Sequence, residues 1–463
     1  MRTEAFDAAV VGAGTAGAGA AYQLARAGLR VALLDVRPFD AAGARWVNGV
    51  PAWQLQRAQL APPVAPELRG IARPLLLPPA GPGRLAVGAL PGVLKVDMRR
   101  LVERLQRLAL EAGAVAFERA EVREVVLEGE RPVAVRAVQR PGRGPERDLE
   151  LRARLLVDAS GLGGAVRTRV PALARHTPPP APRDLCVAAQ QVRQVVDRAG
   201  ARAWLAGVGA RDGEAVTYLG VAGGFSTLMV NLELDSGEVE ILGGSLADGS
   251  APPGGVLIRD FLGRNPWVGE RVFGGQGRIP LRRPYDRFAA PGVALVGNAA
   301  CQVFPAHGSG IGIGLVAGRI LAEAAADRAD PGGLEATWSY QAQVMREIGG
   351  LLASYDVFRR LSQRLSGRDV GRLVSTGLMS PASARAGLLQ HMPSPSPLEA
   401  LRIALGATRA PRIAGRLAPS LARMHAVRAV YGRYPQRPDM GRLARWSRVA
   451  ARLHGMPPDV REA

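Results

Sequence analysis

The chain has 463 residues, 47% hydrophobic and 22% charged, with two cysteines and a formal net charge of +20. That apolar fraction supplies a large core over two or more domains and excludes a disordered chain, while the lack of a short repeat excludes collagen-like and coiled-coil architectures. Cys186 and Cys301 lie far apart and outside any C-x-x-C pattern, so a reducing, cytoplasmic setting is expected, with no disulfide scaffold and no cysteine zinc site.

The charge is unevenly distributed. Lys95 is the only lysine among 60 basic residues, which points to a coding preference for arginine rather than selection for a polyanion. From Pro331 to the end, 20 arginines face 8 acids, so +12 of the +20 lies in the tail.

In chain order, Phe6 to Val11 reads as a buried strand entering the turn Gly12-Ala13-Gly14-Thr15-Ala16-Gly17. A helix follows with Ala21, Leu24 and Ala25 on one face, then Gly28 and the strand Val31 to Asp35. The glycines that break this apolar start do not fit a signal peptide. Strand, glycine turn, helix, strand and acid make one βαβ dinucleotide-binding unit. Gly12 permits the turn, Gly14 lets the backbone approach a pyrophosphate, and Gly17 lets helix and strand close together. Asp35 is placed to accept ribose hydroxyls, and the lack of an arginine directly after it favours FAD or NAD over NADP.

Residues 36–95 read as loops with short strands. A helix is expected from about Asp97 to Ala112, with Leu101, Leu105 and Leu108 as its stripe and Gly113 as its stop. Strands near Ala114–Phe117 and Val122–Leu127 lead through a charged loop at Pro141 to Glu146 into Leu155-Leu156-Val157-Asp158. Thr177 to Arg183 reads as a linker. Residues 185–284 alternate apolar and polar with Gly turns, as an antiparallel sheet does. Val293 to Val296 forms another buried strand before a glycine-rich stretch and a helix from Ile311 to Ala326. The tail reads as short amphipathic helices. No stretch of about 18 apolar residues predicts a membrane span.

Two later motifs narrow the cofactor. One is Asp158-Ala159-Ser160-Gly161, with Arg167 beyond it. The other is Gly297-Asn298-Ala299-Ala300, followed by Pro305-Ala306-His307-Gly308-Ser309-Gly310-Ile311-Gly312. With the first turn, these make the chain resemble the FAD-dependent oxidoreductases of the para-hydroxybenzoate-hydroxylase type, nearest in pattern to geranylgeranyl reductases, lycopene cyclases and flavin halogenases. The resemblance spans about residues 5–325 and includes Lys95 to Leu101, similar to the family's second FAD-domain helix start.

The resemblance implies an α/β fold. A Rossmann-like FAD-binding domain with a mostly parallel sheet (1–182, returning at 285–326) holds an inserted antiparallel substrate domain (183–284), followed by a basic helical C-terminal region (327–463). It implies FAD contacts at Gly12, Ala13, Gly14, Thr15, Ala16, Gly17, Asp35, Arg45, Val122, Asp158, Gly161, Gly297, Asn298, Gly308, Gly310, Ile311 and Gly312. The family usually carries Asp where this chain has Asn298, whose amide still hydrogen-bonds, and an arginine where it has Met98. His307 is the candidate catalytic residue, read either as a proton shuttle at the flavin edge or as a helix-capping loop residue. His176, His391, His425 and His454 share no ligand spacing, so no metal is expected.

The halogenase W-x-W-x-I-P segment is absent. The stretch Gly223 to Val230, comparable to a Y-x-W-x-F-P strand of geranylgeranyl reductases, lacks the Trp and Pro. The implied activity is FAD-dependent reduction of carbon–carbon double bonds in an apolar isoprenoid or lipid, by hydride transfer from flavin N5. Alternatives are a monooxygenase using NAD(P)H and oxygen, and a redox-neutral cyclase. NAD(P)H or a ferredoxin-like redox partner would supply electrons. The Arg-rich tail, with Arg402, Arg409, Arg412, Arg416 and Arg423 beside Tyr431 and Trp446 as interfacial aromatics, is a candidate peripheral contact with the inner membrane face. Without a recognisable nucleic-acid fold, no nucleic-acid partner is expected.

Overall fold

The computed structural model describes residues 1–79, 83–142 and 144–460. Arg143, in the expected charged loop, lies outside the described residues. The first sheet has eight strands: five run parallel, in the order Val293–Leu295, Arg147–Asp158, Arg2–Val11, Val31–Leu34 and Val115–Phe117, and Ala289–Ala290, Arg131–Gln139 and Ala120–Glu128 are added antiparallel. Ala8, Val10, Leu33 and Leu156 are fully buried, as expected of parallel strands covered on both faces. Val11 pairs with both Asp158 and Leu34, and Asp158 with Leu295, so four strands end side by side. The loops beyond them converge where ligands bind in such sheets.

Helix Thr15–Arg26 packs against helix Ile311–Ala325 through small residues: a Cβ on Gly318 would lie 3.0 Å from the Ala20 Cα. Helix Met98–Glu111 opens on Asp97, whose carboxylate accepts from Arg99 N, and buries Leu101 and Leu105 as its spacing predicts.

The second sheet runs Val268–Pro280, Leu185–Val195, Glu238–Leu246, Ser226–Glu233 and Ala215–Leu219, all antiparallel, and then continues into Pro74–Leu77 and Leu85–Ala86. The sheet expected within 185–284 thus takes two strands from the segment read as loops with short strands, and Pro74–Leu77 joins it parallel. Its period-two pattern divides two environments. Leu228, Val230 and Leu232 face Leu205, Ile258 and Trp267 under helices Arg198–Val208 and Gly254–Leu262, while Thr227, Met229 and Asn231 face a cavity.

The segment Thr177 to Arg183 is no free linker. Tyr285 Oη donates to Pro178 O at 2.8 Å and the buried Arg359 guanidinium donates to Arg183 O at 3.0 Å. The tail is likewise fastened to the body. Tyr431 and Trp446 are buried, with Trp446 against the rings of Tyr431 and Tyr434 at 4.9 and 4.7 Å. They belong to the core and are not the interfacial aromatics expected. Beneath them Asp286 accepts from Arg283, from Ser447 Oγ at 2.5 Å and from Asp459 N at 3.2 Å, joining the returning segment to the last helix, Met440–His454. Burial alone would raise the Asp286 pKa, but the Arg283 guanidinium outweighs it and holds the group ionised.

Two outcomes follow for stability. Asp286→Ala strands a buried guanidinium and should cost about 3–5 kcal/mol in chemical denaturation. His454, between Ala450 O at 2.8 Å and Ala353 O at 3.1 Å, is pushed down from 6.5 to about 4 by burial. A histidine held neutral in the fold contributes fully above its unfolded value and loses that contribution as pH falls. Thermal melts should therefore show up to about 3 kcal/mol lost between pH 6.5 and 4, and less in His454→Gln.

Candidate functional site

Backbone contact builds the site. Gly12 has φ +108°, and a Cβ there would lie 2.4 Å from Ala159 O; on Gly17 it would lie 1.7 Å from Gly12 O. Gly14 is freer, its nearest neighbour being Gly43 Cα at 3.3 Å from an added Cβ. Asp35 fixes the turn by accepting from Ala13 N at 2.8 Å, and from Arg37 N and Nε at 2.9 and 3.2 Å. Arg37, two positions beyond the acid, borders the cavity, so the argument from a missing arginine does not hold here. Helix Thr15–Arg26 has neither a side-chain cap nor an acid in its first turn. Its N–H groups are thus open to an anion.

The returning segment supplies the opposite wall. Gly297 N donates to Gln302 Oε1 at 2.7 Å, and Tyr340 Oη, which donates to Leu295 O at 2.6 Å, accepts from Gln302 Nε2 at 3.1 Å. These bonds lock the turn that presents half-buried Asn298 to the cavity. Helix Ile311–Ala325 opens uncapped on Gly310 and also has no acid in its first turn.

Thirteen of the expected residues border one cavity: Gly12, Gly14, Thr15, Ala16, Asp35, Val122, Gly161, Gly297, Asn298, His307, Gly308, Gly310 and Ile311. Five do not. Ala13 is held by Asp35 and Gly17 packs on Gly12. Gly312 makes room for Gln54, whose Oε1 would lie 2.0 Å from an added Cβ. Arg45 is exposed and donates to Asp40 O at 2.8 Å. Asp158 turns into its own loop, accepting from Ser160 N and Oγ at 3.0 and 2.6 Å and from Val166 N and Arg167 N at 2.9 and 2.7 Å. Its carboxylate shapes the loop that carries Gly161.

His307 faces the cavity, its ring 4.7 Å from Phe304 and its Nε2–H directed at Gly387 O, 3.4 Å away. The ring is exposed to the cavity, desolvation by its surroundings lowers its imidazole below the ordinary value, and its hydrogen bond ties the glycine turn to the tail.

The cavity holds about 1440 Å³, more than the roughly 300–1,000 Å³ that one drug-sized ligand fills. It runs from the glycine turns along the second sheet, past Thr227, Met229 and Leu242, to a roof of Leu365, Leu373, Leu417 and Met424 from the tail. Sequence reasoning missed this roof because helix periodicity shows an apolar stripe without showing what it covers.

One wall carries charge. Lys95 Nζ pairs with Glu233 and lies 3.3 Å from Glu240 Oε1, while Asn231 Nδ2 donates to Glu233 at 3.2 Å. Lys95, Asn231 and Glu240 all border the cavity. Asn231 Oδ1 and the Trp46 indole N–H have no protein partner. Burial raises the Glu240 carboxyl above its ordinary value, against the opposing pull of Lys95 and Arg69 and with the help of Glu233. Burial would also raise Glu233, but Lys95 brings it below the ordinary range. The sequence signal was present in the single lysine of an arginine-rich chain. Lys95 lies across from Gly49 on paired strands, and Ser309 Oγ approaches Gly49 O at 3.5 Å, which sets the cluster close to the second glycine turn.

Comparison with known proteins agrees with this geometry. Residues 7–169 match the family described as FAD dependent oxidoreductase. Digeranylgeranylglycerophospholipid reductase 1 of Methanopyrus kandleri is 30% identical over 333 residues, covering 70% of this chain and 80% of that protein. Reductase 2 of the same organism is 29% identical over 362 residues, covering 74% and 83%. Among solved structures, a geranylgeranyl bacteriochlorophyll reductase-like protein from Thermoplasma acidophilum superposes with a TM-score of 0.69 at 17% identity, covering 90% of this chain and 100% of that one.

The glycines separate into structural and binding roles by substitution. Gly17→Ala drives a methyl into a carbonyl and should cost about 3 kcal/mol or more, with FAD lost alongside. Gly14→Ala should leave the melting temperature within about 2 °C of the parent while FAD affinity, read by fluorescence quenching, falls about tenfold or more.

Proposed function

This chain belongs to the family of digeranylgeranylglycerophospholipid reductases, which are FAD-dependent oxidoreductases, and from that premise we propose that it reduces carbon–carbon double bonds in an apolar isoprenoid lipid chain. The observation that carries the reading is the single cavity, wide enough for two ligands, that joins two uncapped helix N-termini to a long apolar tunnel.

In this reading the N–H groups at the start of helix Thr15–Arg26 bind the FAD pyrophosphate, with Asp35 holding their turn in shape. Asn298 offers its amide to the ribityl hydroxyls, and the Gly308 to Ile311 backbone offers N–H groups to the flavin pyrimidine edge. Trp46, with its unpartnered indole N–H, stands ready to donate to the same ring. Bound reduced FAD supplies a hydride and its two electrons. The sheet face and the tail roof hold the chain and exclude water. The Glu240 carboxyl holds a proton and delivers it to the alkene carbon that does not take the hydride. The π bond is replaced by two C–H bonds, and the carboxylate left behind is stabilised by Lys95 until solvent reprotonates it. A reduced nicotinamide or a small acidic electron carrier drawn to the positive surface would supply the electrons for the next turnover.

Anaerobic mixing of the photoreduced, FAD-loaded protein with a geranylgeranyl lipid tests this, followed by flavin absorbance. Reoxidation is expected with the unsaturated lipid and not with its saturated counterpart. Glu240→Gln should slow it about 100-fold with FAD retention unchanged. Reoxidation that requires oxygen would replace this reading with a monooxygenase, and an altered lipid with flavin still reduced would replace it with a cyclase.

A further inference from the structure

The two helices that roof the cavity have a second, outward face. Helix Pro397–Arg409 exposes Leu398, Leu401 and Leu405 at 59%, 57% and 50% of their full surface. Steps of three and four residues place them on one stripe. The inner sides of the same helices face the cavity through Ile403, Ala407, Leu417 and Met424. Residues Met392, Pro393 and Pro395, just before the first helix, also border it, and Pro395 is exposed. Cavity and outer surface are therefore separated by the thickness of these helices.

Charge identifies what this face meets. Between His391 and His425 stand five exposed arginines, at 402, 409, 412, 416 and 423, of which Arg416 is paired with Asp369 at 3.3 Å, against one acid, Glu399, which accepts from Ser380 Oγ at 2.6 Å. Leucines on a stripe flanked by long cations match the boundary of an anionic bilayer, where acyl chains take the leucines and lipid phosphates take the guanidinium groups. The net +4 of this stretch repels a second copy of itself, and the leucine stripe has no complement in a nucleic acid. No described helix is long and apolar enough to cross a membrane, which leaves attachment in the plane of the surface.

We propose that helix Pro397–Arg409 and the start of helix Pro411–Tyr431 lie on the surface of an anionic bilayer, so that a lipid chain passes from the membrane into the cavity between them. The docking does not depend on the redox reading and is testable without cofactor or turnover.

The test is co-sedimentation of the purified full chain with vesicles of pure phosphatidylcholine and of phosphatidylcholine with about 30% phosphatidylglycerol. Binding is expected to be about tenfold or more tighter to the anionic vesicles and to weaken with salt. The triple variant Leu398→Ser, Leu401→Ser, Leu405→Ser alters only exposed side chains, and its melting temperature verifies the fold; it should lose about tenfold or more in vesicle affinity. Arg409→Gln with Arg412→Gln should lose mainly the salt-sensitive part. Equal binding by parent and triple variant, or no binding of the parent to anionic vesicles, overturns the proposal. A parent that is dimeric by light scattering and becomes monomeric in the triple variant overturns it in favour of a second copy as the occupant.

Discussion

The close approach of Gly17 to the Gly12 carbonyl is the contact on which the remaining geometry depends. No side chain fits there: the added Cβ would sit 1.7 Å from the oxygen. Because helix and strand meet backbone to backbone, the first helix starts directly beyond the strand end, with its N–H groups aimed at the crevice where four parallel strands terminate. Asp35 reaches back from the neighbouring strand to fix the same turn. Gly297 brings the returning segment equally near, an added Cβ there lying 2.8 Å from the Ala16 side chain. An anion site, a cleft and a second uncapped helix are thus set by where side chains are missing.

The tail completes what the sheets begin. Neither sheet alone encloses a cavity; the second presents one apolar face, and the helices after residue 360 cover it. What holds them is buried and charged. Asp286 and Asp459 neutralise Arg282 and Arg283, while Asp184 and Asp356 neutralise Arg359 and Arg360. Such clusters add little net stability, but each fixes one arrangement because any other strands a charge. Among the described residues four arginines, Arg167, Arg282, Arg283 and Arg359, are buried internal structure, and five exposed ones stand on the roof helices.

Local signals were legible in the sequence and non-local ones were not. The βαβ unit, the Asp97-capped helix and the alternating strands of 185–246 could be read because each depends on neighbours within a few residues. Within 36–95, read as loops with short strands, the placing of Pro74–Leu77 in the second sheet was not legible, because its pairing partner lies about 140 positions away. Asp158 ends its strand where a cofactor contact is expected, yet a turn of eight residues folds back to satisfy its carboxylate. Tyr431 and Trp446 carried the pattern of an interfacial helix and proved to be core, since periodicity does not distinguish one apolar environment from another. The Lys95 cluster was visible only as a compositional oddity until packing of its strand against the second sheet set it beside Glu240 and Asn231.

In the proposed reading the cofactor is held by backbone and the substrate by apolar surface, with one charged cluster, Lys95, Glu233 and Glu240, set into the cavity wall. A crystal structure of the FAD-loaded protein with a geranylgeranyl lipid tests that division most directly. The account predicts the flavin ring between Trp46 and the Gly308 to Gly310 turn, with the lipid chain along Thr227, Met229 and Leu242 beneath Leu417 and Met424, and one of its double bonds within reach of Glu240. A chain bound outside this cavity, or one separated from Glu240 by the flavin, would contradict it.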